Sequence, residues 1–204
     1  MPTTARRPKH DPKVSEQEIL AAAEQLLRER PFRDITVEDV MSRTGLKRPA
    51  FYVHFRDRHE LALRVVEQIG AELFEMTDRW LQGDDPQTDS RAALHGLASV
   101  YLRLGPVMRA LADAAGADAR VEHAYRHLVQ QFIDATAAHI RTEQGRGRIG
   151  TLANVAETAR ALILMNERYL LESFACTPQA DPTVVVDVLH HIWISTLYGA
   201  NAAR

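Results

Sequence analysis

Apolar side chains recur every three or four residues along nearly the whole chain and nowhere alternate strictly, which restricts the fold to packed helices. Ile19, Leu20, Ala23, Leu26 and Leu27 form the first such stripe. Ser15, with Glu18 three residues on, has the pattern of a capping box opening that helix, and Pro31 closes it. Thr36 with Asp39 opens a second, short helix, which stops at Gly45, a residue suited to a left-handed turn. A third begins at Arg48 and Pro49, since proline is tolerated in a first turn, and runs to about His54. Asp57 with Glu60 repeats the capping pattern and starts a long fourth helix toward Trp80, broken by residues 82–86.

Beyond the break, residues 89–104 read as a helix ending at Gly105 and Pro106, with a shorter piece to Ala115. Asp118 caps a helix of roughly 25 residues, about 37 Å long, closed by Gly145, Arg146 and Gly147. Residues 152–175 and 183–200 supply two more. The last of these carries Val184, Val185, Val186, Val188, Leu189, Ile192, Trp193, Ile194, Leu197 and Tyr198, more than one core-facing stripe requires. Such a helix needs a second partner, either core on both sides or another subunit. The expected fold is all-α, with a basic, disordered arm over residues 1–14, a three-helix unit over 15–62 and a larger helical unit over 63–204.

The net charge of −2 conceals an asymmetry. Residues 1–66 hold 13 Lys and Arg against 10 Asp and Glu, whereas residues 67–204 hold 12 against 17. Arg43, Lys47, Arg48, Arg56 and Arg58 cluster around a single acid, Asp57, and Arg6, Arg7 and Lys9 form a second basic group, a footprint for phosphate at one end of the chain. No apolar run approaches the roughly 20 residues of a membrane span. A single cysteine excludes a disulfide framework, and a cytoplasmic location follows as the expectation.

A helix of about eight residues, a turn at Thr44, Gly45 and Leu46, and a second short helix make a helix-turn-helix pattern. Val37, Val40, Leu46, Phe51 and Phe55 fall where three helices meet, so Lys47, Arg48, Tyr52 and His54 face outward. Lys47 or Arg48 suits guanine O6 and N7 in the major groove; Tyr52 and Arg58 suit phosphates. The expected partner is double-stranded operator DNA.

The run TVEDVMSRTGLKRPAFYVHFRDRHEL resembles the DNA-binding signature of the tetracycline-repressor (TetR) family. LMNERYLLESFA at 164–175, HIWISTLYG at 191–199 and FIDATAAHI at 132–140 resemble the C-terminal helices of its ethionamide-resistance subgroup. The resemblance implies a homodimer joined through the last two helices of each subunit, and a repressor released from its operator by a hydrophobic small-molecule effector. It also implies DNA-facing positions at Thr36, Lys47, Arg48, Ala50, Tyr52, His54 and Arg58. Lys47 stands where relatives often have a Ser or Thr cap, Ala50 where they often have a hydroxyl, and Arg58 where Lys is usual.

The same resemblance implies a mostly apolar tunnel lined by Gly96, Val100 and Leu104, by Tyr125, Val129, Phe132 and Thr136, and by Ile163, Asn166, Glu167 and Leu170, with Trp193 at one end. Each set is one helical stripe, and three inward stripes can enclose a cavity with few polar anchors. Asn166 and Glu167 read either as ligand anchors or, for Glu167, as a partner of Arg168, Arg160 or a neighbouring helix; Trp193 also suits a subunit interface. Glu122, His123 and His127 on one helix, and the adjacent His190 and His191, lack a third ligand at fixed spacing, so no metal is expected. Without a Gly-rich phosphate loop, nucleophile elbow or Ser/His/Asp arrangement, neither a cofactor nor an enzymatic activity is expected.

Overall fold

The computed structural model describes residues 11–116 and 118–199. Among them are eight α-helices: α1 Pro12–Glu29, α2 Val37–Ser42, α3 Phe51–His54, α4 Arg58–Gln82, α5 Pro86–Ala115, α6 Ala119–Gly145, α7 Val155–Phe174 and α8 Pro182–Leu197. Arg6, Arg7 and Lys9 lie outside the described residues, as does the end of the expected last helix at Ala200.

Several helix starts differ from expectation for a local reason. Asp11, not Ser15, caps α1, accepting from the Lys13 N–H, with Pro12 in the first turn. The arm therefore does not extend to residue 14, and Ser15 sits inside the helix, its hydroxyl donating to the Asp11 carbonyl at 3.2 Å. Thr36 and Asp39 do form the expected capping box. Asp57 caps α4 through the His59 and Glu60 N–H groups, while Glu60 reaches back one residue further, to the Arg56 N–H. Gly45 is not at positive φ; among the described residues only Gly147 is, at 72°, where α6 ends. The Gly45 N–H instead donates to Glu18 Oε1 at 2.5 Å, tying the turn to α1.

The largest departure is α5, which runs unbroken through Pro106. Proline removes the N–H that the Leu102 carbonyl would accept, a loss that ordinarily breaks a helix. Here the Gln179 side-chain amide donates to that carbonyl at 3.2 Å and to the Phe174 carbonyl at 2.8 Å, replacing the missing bond from outside the helix. Gly105 allows the approach, since a Cβ there would lie 2.7 Å from the Phe174 carbonyl oxygen.

Helix α4 packs against α1, α5 and α6, and α8 lies on α5. The stripe Ile19, Leu20, Ala23, Leu26 and Leu27 is buried with Val40, Phe51, Phe55 and Leu61, and the same apolar cluster continues through Val66, Leu97 and Leu104 to Leu189. The expected division at residues 62 and 63 thus falls inside α4, with continuous core on both sides.

Candidate functional site

Buried aromatic rings set the orientation of α3. Phe51 and Phe55 lie in the core, their rings 5.4 Å apart. With both turned inward, Tyr52 and Val53 are 51% and 75% exposed. Lys47 and Arg48 are exposed just ahead of them, and His54 is half-buried beside the Phe55 ring. Ala50 is drawn partly inward, packed against the core, and sits at the edge of this face. Val53, the most exposed large apolar side chain here, was missed by the sequence reading, although its place between two core phenylalanines marks it as outward.

The basic cluster divides into committed and available charges. Arg43 grips Glu29 through two nitrogens at 2.6 and 2.5 Å, and Arg56 pairs with Glu60 at 3.0 Å. Arg58, expected at a phosphate, turns back instead. Its Nη1 donates to the carbonyls of Phe32, Arg33 and Ile35 at 3.3, 3.0 and 2.8 Å, and its guanidinium lies 5.0 Å above the Phe32 ring. In this position it clasps the chain between α1 and α2 to the start of α4. Thr36 is committed to its cap: it donates to Asp39 at 2.5 Å, and that bond, with Arg30 beyond it, holds the Asp39 carboxyl down at about 2. Lys47 makes no ion pair among the described residues, and Arg48 is held only loosely, 3.5 Å from the Tyr52 hydroxyl and 4.0 Å from Glu38.

A polar bridge joins this end to the rest of the molecule. His59 Nε2 lies 3.1 Å from Asp118, and Arg120 Nη1 lies 3.1 Å from Asp57. Asp57 and Asp118 are the caps of α4 and α6, so the bridge couples two helix starts. Burial pushes the Asp118 carboxyl up, but the Arg120 and Val121 N–H groups and the Arg120 side chain more than offset it and hold it low.

A cavity of about 110 Å³ lies between α4, α5, α6, α7 and α8. Tyr125, Val129, Phe132, Thr136, Ile163, Asn166, Glu167 and Trp193 line it. Gly96, Val100, Leu104 and Leu170, expected there, do not. Val100, Leu104 and Leu170 are buried in the core, and Gly96 faces Met76 of α4, where a Cβ would meet Sδ at 2.7 Å. The α5 wall is Ser90, Ala93, Leu94, Leu97 and Tyr101 instead, and α4 contributes a stripe unforeseen from sequence: Val66, Ile69, Leu73, Thr77 and Trp80. One residue of offset turns a helix by about 100°, enough to exchange a core face for a cavity face.

Trp80 and Trp193 meet edge to face, with centroids 5.2 Å apart, and Trp80 also packs on His139 at 4.2 Å. His139 Nδ1 donates to the Leu81 carbonyl at 3.2 Å, and burial lowers the His139 pKa. Tyr125 donates its hydroxyl to Glu167. Burial first, and the Glu167 charge second, push the Tyr125 and Tyr101 phenols well above the ordinary range, so both remain neutral donors. Asn166 is 7% exposed, and its Oδ1 has no partner. Among the described residues no three His, Cys, Asp or Glu side chains come together as a metal site. No described helix is long and apolar enough to cross a membrane.

Residues 19–65 match the family of bacterial regulatory proteins named for TetR, and residues 90–199 match the C-terminal domain of the transcriptional regulator EthR. The HTH-type transcriptional regulator EthR of Mycobacterium tuberculosis (strain ATCC 25618 / H37Rv) is 33% identical over 188 residues, covering 90% of this chain and 87% of that protein. Its counterpart in Mycolicibacterium smegmatis is 31% identical over 190 residues, covering 90% and 86%. In fold, the chain is similar to the fatty acid degradation regulator FadR of Bacillus halodurans, with a TM-score of 0.77 at 12% identity over 90% of this chain and 95% of that one. Matched in both its halves and across nine-tenths of its length, the chain belongs to the TetR family of transcriptional regulators with an EthR-type C-terminal domain, and is a DNA-binding regulator, not an enzyme.

Proposed function

We propose that the protein reads its operator through Lys47, Arg48, Tyr52, Val53 and His54, and senses an apolar effector in the cavity between α4 and α8. The observation carrying this reading is the continuity of α4. Its capped start follows α3 directly, and its later turns place Ile69, Leu73, Thr77 and Trp80 on the cavity wall. A ligand that fits only one tilt of α4 therefore biases the position of the recognition helix, because ligands shift equilibria by their differential affinity. Residues 15–62 act as the reading unit, with Thr36, Ala50 and Arg58 shaping it, and residues 63–204 act as the sensing and dimerising unit.

The dimer forms through α7 and α8, where Leu164, Tyr169, Val184 and Val188 remain exposed on the single chain. Two recognition helices about 34–36 Å apart then enter successive major grooves of a partly palindromic site, in the cytoplasm. A mobility-shift assay on the duplex upstream of the protein's own gene tests the reading: a specific band at physiological salt, lost on adding an effector, is expected. Absence of any specific band overturns it.

A further inference from the structure

One end of the cavity carries a negative charge without a counter-ion. Glu167 lines it half-buried, its Oε1 accepting from Tyr125, its Oε2 meeting no donor, and the carboxylate making no ion pair among the described residues. The neighbouring cation, Arg168, is engaged with Glu172 at 3.0 Å and points to solvent. Beside Glu167, the unpartnered Asn166 Oδ1 adds a second acceptor within the buried wall. Two of the wall hydroxyls are committed elsewhere: Thr77 donates to the Phe74 carbonyl at 2.9 Å and Ser90 to the Gln87 carbonyl at 3.3 Å, whereas the Tyr101 hydroxyl and the unpartnered Trp80 and Trp193 N–H groups are donors on the same wall. At Glu167 and Asn166 the wall presents a carboxylate oxygen and an amide oxygen. The remaining wall, with Leu73, Leu94, Leu97 and Ile163, is apolar.

A partly desolvated charge without a partner is costly, and a buried acceptor without a donor likewise. A bound cation relieves both at once, whereas a bound anion adds like-charge repulsion to the same desolvation. We infer that the effector is an apolar molecule ending in a protonated amine, its ammonium between Glu167 and Asn166 and its chain along the leucine-rich wall. The inference rests on reading the cavity as the effector site, and it separates this chain from sensors of anionic acyl chains.

The test uses the full-length protein and three probes of equal chain length at neutral pH: octylammonium, 1-octanol and octanoate. Binding is read from the fluorescence of Trp80 and Trp193, which both line the cavity. Octylammonium is expected to bind about tenfold or more tighter than octanoate, the scale of one charge-assisted hydrogen bond. Glu167→Gln erases that preference while leaving 1-octanol affinity within about twofold. Tyr125→Phe, which frees the second carboxylate oxygen, raises the preference about two- to fivefold and serves should Glu167→Gln not fold. Octanoate binding as tightly as octylammonium, or a preference surviving Glu167→Gln, overturns the inference while 1-octanol binding keeps the cavity reading intact. If none of the three probes binds, the cavity reading falls and the inference with it.

Discussion

The reading face and the cavity solve opposite problems with the same helical parts. On α3, buried and exposed side chains stand next to one another in sequence: Phe51 is in the core, Tyr52 and Val53 face solvent, and Phe55 is in the core again. The face is continuous along the chain and rigid because two aromatic rings hold it from behind. The cavity is the reverse, assembled from side chains on five helices separated by as many as 127 positions, between Val66 and Trp193, and enclosed instead of displayed. A face of the first kind can be altered without touching stability, whereas every wall of the second is also part of a core.

Neighbouring positions on α3 give the sharpest way to break that contrast. Phe51→Ala is expected to cost about 3–5 kcal/mol in a denaturant melt, as for other buried aromatics. Tyr52→Ala combined with Arg48→Ala leaves the melt nearly unchanged but weakens operator binding about ten- to a hundredfold and flattens its salt dependence. Equal stability losses for both variants contradict the assignment of inner and outer sides. Within the cavity, Leu97→Trp fills the space; calorimetric titration should show effector binding weakened by more than tenfold, and operator affinity should fall about fivefold or more, because the side chain occupies the cavity as an effector would. Smaller still is the effect of Arg120→Ala at the α4–α6 bridge: unchanged operator affinity, but an effector response reduced about two- to tenfold in an anisotropy assay, if the bridge transmits the signal. An unaltered response assigns the bridge to structure alone.

The smallest effect is a pH dependence at His139, packed on Trp80. Burial lowers the His139 pKa below its ordinary 6.5, so the folded state binds fewer protons there than the unfolded chain does. The stability this neutral imidazole contributes is present above about pH 6.5 and lost as pH falls toward the lowered value. Thermal melts at pH 7.5 and 5.5 should therefore differ less for His139→Asn than for the parent. A wider gap in the variant places the acid sensitivity elsewhere.

The same contrast explains what was legible in the sequence. The reading face is local, so helix spacing and the Thr36 and Asp57 caps sufficed to orient Lys47, Arg48 and Tyr52. What local pattern cannot show is which charges are already engaged: Arg43, Arg56 and Arg58 count toward a basic patch by composition, yet Glu29, Glu60 and three carbonyls hold them. The α6 wall and Ile163, Asn166 and Glu167 of α7 were legible because each set faces the cavity as one regular stripe, although Leu170, four residues beyond Asn166, belongs to the core. On α5 the same logic chose the wrong stripe, since Gly96, Val100 and Leu104 are as periodic as Leu94, Leu97 and Tyr101, and only packing against α4 and α7 distinguishes them. Continuity through Pro106 was hidden because the replacement donor, Gln179, lies 73 residues beyond it.

The central claim is that α4 makes cavity occupancy and operator binding oppose each other. It is tested most directly by titrating the operator duplex in the presence and absence of saturating octylammonium, and octylammonium in the presence and absence of duplex. Linkage requires each ligand to weaken the other by the same factor, expected at about 5- to 150-fold. Two affinities unchanged by each other's presence contradict the account.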